Sequence, residues 1–102
     1  MASFPKFWKV MGKDLTINME TIPEMKGCMG CCIPEDLTIV VRPDINPQQQ
    51  VSVLLHESIE QCNFDLNMDL THQQIIGLEL FMYQTIMDNN VAALKTYARG
   101  GI

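Results

Sequence analysis

His56-Glu57-Ser58-Ile59-Glu60 is the segment of this sequence best equipped for chemistry. On a helix, His56 and Glu60 stand on one face a turn apart, and Glu57 lies about 100° round from His56. The segment is one residue from His-Glu-x-x-His, in which two ligands at i and i+4 hold one zinc ion and the acid after the first takes a proton from the water that the metal activates. Glu60 replaces the second histidine, and a carboxylate is also a competent zinc ligand, so the spacing survives. A third ligand must come from elsewhere. His72, the only other histidine, falls in the first turn of the next expected helix. An antiparallel helix pair would return it to Glu60. His56, Glu60 and His72 would then supply two nitrogens and one oxygen and leave a fourth position for water, the composition of a catalytic zinc site, with Glu57 as the base. Glu79, seven residues past His72 on the same helix face, suits a carboxylate that orients His72. Tyr83, one turn on, suits the core by its spacing and an oxyanion contact by its phenol. The plain alternative is that Ser52, His56, Glu60 and Asn63 form an ordinary solvated helix face.

The other metal candidates are the thiols. Cys28, Cys31, Cys32 and Cys62 provide one Cys-x-x-Cys and lack the second pair that makes a zinc-ribbon pattern specific. Small, partly buried cysteines in a strand pair account for them better.

These residues need a scaffold, and the hydrophobic period changes along the chain in a way that defines one. Up to about residue 42 short apolar runs alternate with polar residues, over Phe7 to Met11, Leu15 to Met19 and Leu37 to Val41, which predicts strands. Gly12-Lys13 is the expected first turn. Pro34-Glu35-Asp36 is the second, joining a cysteine-containing strand at about 28–33 to the apolar strand 37–41. Beyond Pro43 the period becomes helical. Asn46, Pro47 and Gln49 form a cap, a first helical position and a capping box, so a helix is expected over about 47–63. Its stripe of Val51, Leu54, Leu55, Ile59 and Cys62 suits packing on a sheet, with His56 and Glu60 turned to a cleft. Thr71 with Gln74 opens a second helix over about 71–88, and the tail 89–102 has room for a short third one. Strands followed by helices predict an α+β fold, a small antiparallel sheet of three to four strands followed by two antiparallel helices.

The chain has 102 residues, 47% hydrophobic and 19% charged, which suits a single domain with one core. Seven Lys+Arg against twelve Asp+Glu give a net charge of −5, with no basic cluster. Nucleic acid and anionic membrane are therefore not expected partners, because both need a cationic footprint. No apolar run approaches the roughly 20 residues of a membrane span, and the first ten residues lack the apolar stretch of a signal peptide. The expected location is the cytoplasm, and four cysteines there are expected to be reduced.

From Lys9-Val10-Met11-Gly12-Lys13 through Asp88-Asn89 the sequence resembles the short zincin-like metallopeptidases, of minimal gluzincin type, found in phage and prophage genomes. The shared pattern is a Val-x-Gly-Lys opening strand, a Gly-x-Cys turn region, a strand like Leu37-Thr38-Ile39-Val40-Val41, then Leu54-Leu55-His56-Glu57. It closes with a helix ending like Tyr83-Gln84-Thr85-Ile86-Met87-Asp88-Asn89. In the family's common form the helix reads His-Glu-x-x-His, with a Glu in the following helix as third ligand. Here Glu60 and His72 occupy those places with the residue types exchanged. The resemblance implies zinc ligands at His56, Glu60 and His72, a base at Glu57, and no role for the cysteines in the metal site.

Three functions follow as expectations. The first is a minimal zinc-dependent peptidase that binds an extended peptide or protein substrate by strand addition to Leu37–Val41. The second is an interaction module on the same fold, without turnover, acting on a host protein. The third is a structural zinc at Cys28, Cys31, Cys32 and Cys62.

Overall fold

The computed structural model describes residues 3–101. Strands β1 (Phe7–Val10), β2 (Lys13–Met19), β3 (Gly30–Ile33) and β4 (Thr38–Val41) form one sheet, and helices α1 (Pro47–Leu66), α2 (His72–Met87) and α3 (Val91–Ala98) follow. The fold is α+β, as the change of period implies. Among the described residues no helix is long and apolar enough to cross a membrane.

The turn between β1 and β2 falls at Met11-Gly12, one residue earlier than the sequence suggests. Val10 pairs with Lys13, and both turn residues have positive φ, 50° and 79°. Positive φ at both central residues is the mirror-image geometry that matches the twist of the flanking strands, and it favours glycine at the second position. The connection from β3 to β4 is the Pro34–Asp36 turn, closed by Leu37 in the left-handed region.

Strand order is β1-β2-β4-β3. The outer pairings are antiparallel, but β2 and β4 run parallel, with Ile17 opposite Ile39 and Met19 opposite Val41. The sheet is therefore mixed, where a purely antiparallel one was expected. The reason lies in the chain between β2 and β4: β3 runs out to the edge and reverses, so β4 returns in the direction of β2. One further expectation changes with it. β4 lies inside the sheet, where Ile39, Val40 and Val41 are buried, and the edges are β1 and β3.

Both expected capping boxes form. Asn46 Oδ1 accepts from Gln49 N at 2.8 Å and Gln49 Oε1 from Asn46 N at 3.3 Å. At α2, Thr71 Oγ1 accepts from Gln74 N at 3.1 Å and Gln74 Oε1 from Thr71 N at 2.9 Å. Helix α1 runs three residues past its expected end and stops at Asn67, whose φ of 50° suits a left-handed cap.

Helix α1 is covered on two sides, not along one stripe. Toward the sheet it presents Leu54, Ser58, Gln61 and Asp65, spaced i, i+4, i+7 and i+11. Leu54 and Val53 join the core of Val10, Leu15, Ile17, Ile39 and Val41. The polar members of the row are hydrogen-bonded. Trp8 Nε1 donates to Ser58 Oγ at 2.9 Å, and Ser58 Oγ donates to Leu54 O at 2.6 Å. Gln61, fully buried, accepts from Cys32 Sγ at 3.4 Å and donates to Asp65 Oδ1 at 3.0 Å, and Lys13 Nζ reaches the same oxygen at 3.1 Å. These bonds fix the rotation of α1 on the sheet. On its other side α1 packs against α2, where Ile75 is buried.

Candidate functional site

With the sheet on one side of α1 and α2 on the other, the flank of α1 that faces edge strand β3 stays open. His56, Glu57 and Glu60 lie on that flank. An open cavity of about 990 Å³ follows, at the upper end of the volume range of small-molecule sites. Ser52, His56, Glu57 and Glu60 of α1 line one wall, His72 and Glu79 of α2 a second, and Gly30, Cys31 and Cys32 of β3 a third. Gly30 permits this closeness. A Cβ there would collide with Val53 Cγ1 and stand 3.1 Å from Val40 O.

The side chains singled out by spacing come together here. His56 Nδ1 lies 2.8 Å from Glu79 Oε1, and the other oxygen of Glu79 accepts a short hydrogen bond from Ser52 Oγ. A carboxylate only accepts, so Nδ1–H donates, and in the neutral form of the ring Nε2 is then the nitrogen with a free lone pair. Nε2 is 4.0 Å from Glu60 Oε2, and the rings of His56 and His72 meet edge to face with centroids 5.6 Å apart. Glu79 thus holds His56 across the helix pair, where spacing suggested that it would hold His72. Ser52 and Gln61 were not legible as partners, because a polar residue on a helix has no sequence mark that separates solvent from a hydrogen bond.

Glu57 is 8% exposed. Burial pushes its carboxyl up to about 7, the positive charge that His56 carries when protonated opposes the shift, and the carboxylates of Glu60 and Glu79 add to it. A carboxyl in that range both takes and returns a proton near neutrality.

The donor set of His56, Glu60 and His72 suits zinc in composition, and a carboxylate behind the first imidazole is the usual support of a ligating histidine. Two donors on one tetrahedral zinc stand roughly 3.4 Å apart, so the 4.0 Å gap between His56 Nε2 and Glu60 Oε2 has to close by about half an ångström. Among the described residues no three His, Cys, Asp or Glu side chains are already gathered tightly enough to hold an ion.

The thiols divide. Cys28, Cys31 and Cys32 line the cavity, whereas Cys62 is not among its lining residues. Cys31 and Cys32 are neighbours on a strand and so point to opposite faces of the sheet. Cys32 is turned to Gln61, and its thiol is pushed up to about 12, first by burial and then by Glu57 and Glu60. All four are free. Tyr83 is half-buried on α2 and is also absent from the cavity lining. No family model, no curated protein and no solved structure matches the chain.

Proposed function

We propose that this protein is a small zinc-dependent hydrolase of peptide bonds, of the zincin-like kind that its sequence resembles. The observation that carries the reading is the 2.8 Å contact between His56 Nδ1 and Glu79 Oε1, which leaves Nε2 as the free nitrogen, near Glu60 and His72. His56, Glu60 and His72 would hold the ion. Zinc there would lower the pKa of a water and polarise a carbonyl. Glu57, on the same wall, takes the proton of the attacking water on its carboxylate and returns it to the leaving nitrogen. The substrate is an extended peptide lying along β3, because β3 is a sheet edge that also lines the cavity. Four free thiols suit a reducing compartment, the cytoplasm, which is the host's if the gene is a phage's.

Metal analysis of the purified protein beside His56→Ala and Cys31→Ser tests the site. The expected result is one zinc per chain, lost in His56→Ala and kept in Cys31→Ser; loss in the cysteine variant alone would move the metal to the thiols. Cleavage of an unstructured protein should vanish in Glu57→Gln while zinc stays bound. A second reading, an interaction module without turnover, is favoured by the absence of a closed donor set among the described residues. It becomes the better account if the zinc-loaded protein cleaves no member of a broad peptide panel.

A further inference from the structure

Four carboxylates line the cavity: Glu57 and Glu60 of α1, Glu79 of α2, and Asp69 of the connection between the two helices. No lysine or arginine among the described residues lines it. Glu79 is held by His56 and Ser52, and Glu60 stands 4.0 Å from His56 Nε2. Glu57 and Asp69 take part in no ion pair among the described residues. Glu57 is more than nine-tenths buried, faces the cavity and accepts no hydrogen bond from the described residues. A buried carboxylate without a partner is costly, and one that faces a cavity is met by what enters it. A zinc ion brings two positive charges against up to four negative ones, so the loaded cavity stays negative, and the chain lines it with no cation to restore the balance.

One end of the cavity is shaped for a long cationic side chain. Phe64 lies one turn past Glu60 on the same side of α1 and is 55% exposed while lining the cavity. Leu70 N donates to Asn63 Oδ1 at 2.9 Å and Met68 N to Asn63 O at 3.1 Å, which folds the connection back on the end of α1. Asp69, in the left-handed region at φ 60°, is thereby held at the cavity wall. An aromatic ring takes the stem and the charge of a lysine or arginine, and the carboxylate takes its head. Gly30 stands against Val53 and Glu57, and Cys32 against Gln61, so β3 and α1 run side by side in the same direction. A peptide along β3 therefore reaches this end on one side of the bond held at His56 and Glu60. One helical turn is about 5.4 Å, or about two residues of extended chain.

We propose, on the reading of this cavity as a peptide-cleaving site, that its substrates carry a basic side chain, which Phe64 and Asp69 seat at one end of the cavity. Asp69 is then a residue that sets specificity and takes no part in the chemistry.

The test is fluorescence-anisotropy titration of the full-length Glu57→Gln variant, with saturating zinc and at low salt. The probes are three capped ten-residue peptides, uncharged except for one position that is lysine, glutamine or glutamate. The lysine peptide should bind about tenfold more tightly than the glutamine peptide, and the glutamate peptide most weakly. Asp69→Asn should bring the lysine-to-glutamine ratio close to one, and Asp69→Lys should put the glutamate peptide ahead of the lysine peptide. Glu20→Gln changes the net charge by the same amount as Asp69→Asn at an exposed position that does not line the cavity, and should leave the ratio in place. Equal affinities, no binding of the lysine peptide, a preference that survives Asp69→Lys, or one that Glu20→Gln reduces as much as Asp69→Asn would overturn the proposal. Turnover is read separately, by incubating the wild type with the same peptides. Preferential binding without cleavage removes the hydrolase and keeps the cationic partner, whereas cleavage without preference does the reverse.

Discussion

Nδ1 of His56 and Oε1 of Glu79 stand 2.8 Å apart, one on α1 and the other on α2, so an imidazole that lines the cavity is oriented from the neighbouring helix. Ser52 fixes the second oxygen of Glu79 from one turn before His56. The contact makes the packing of two helices a condition for the direction of one ring.

Replacing Glu79 should therefore weaken metal binding without touching a ligand. Loss of a carboxylate behind a ligating histidine reduces affinity about 10–100-fold. Glu79→Ala is expected to fall in that range in a chelator-competition titration with zinc. Glu79→Gln, which keeps an acceptor for Nδ1–H, should lose less, and equal losses in the two variants would argue against orientation as the cause.

Gly30 sets the distance between β3 and α1. Gly30→Ala is expected to lower stability by about 1–3 kcal/mol in urea denaturation, as overpacking does, because the new methyl falls on Val53 Cγ1 with Val40 O 3.1 Å away. Val53→Ala should also destabilise by itself. The double variant should be more stable than the sum of the two losses implies, since the shortened side chain makes room for the methyl.

Gln61, fully buried, ties α1 to β3 through Cys32 and holds Asp65 on its own helix. Gln61→Leu keeps the volume but removes the acceptor for Cys32 and the donor to Asp65. Asp65 Oδ2 is already buried without a partner, which leaves Oδ1 bonded to Lys13 alone. A loss of about 1–3 kcal/mol is expected in the same denaturation assay. Addition of Asp65→Asn should restore part of it by removing a poorly paired charge.

Cys32 is the thiol whose titration is most displaced. The thiolate is the nucleophile, and a pKa near 12 in place of 9.0 leaves about a thousandfold less of it at pH 8. Timed alkylation read by peptide mass spectrometry should label exposed Cys28 first and Cys32 last. The linked effect on stability has a definite sign. An acid raised in the fold ionises more readily when unfolded, so its contribution is full below pH 9 and is lost as pH rises toward 12. Cys32→Ala should flatten that alkaline decline.

What could be read from the sequence was local. The capping boxes at Asn46 and Thr71 form because each satisfies backbone donors within three residues. The sequence marks the Met11-Gly12 turn one residue late because Gly12 is the visible signal and Met11 carries none, although it too adopts positive φ. The gathering of His56, Glu57 and Glu60 follows from helical spacing, and His72 reaches them because Asn67 to Thr71 is a short connection. The parallel pairing of β2 with β4 was not legible, since neither strand encodes the direction of a partner about twenty residues away. For the same reason the apolar strand at 37–41 looked like an edge. Helical spacing marks Glu79 as a useful carboxylate, but which histidine it meets depends on the rotation of α1, and that rotation is fixed by Ser58, Gln61 and Asp65.

The strand order has a consequence for how the molecule opens. The sheet is two antiparallel hairpins, 7–19 and 30–41, laid side by side, and the parallel β2–β4 ladder is the seam between them. Each hairpin is closed by its own turn, whereas the seam has no covalent closure shorter than the whole excursion through β3. Helix α1 spans it, bonded to Trp8 and Lys13 on one hairpin and to Cys32 on the other. Undocking of α1 would free the hairpins to part along the seam with their turns intact, so the cavity and the middle of the sheet unfold as one unit.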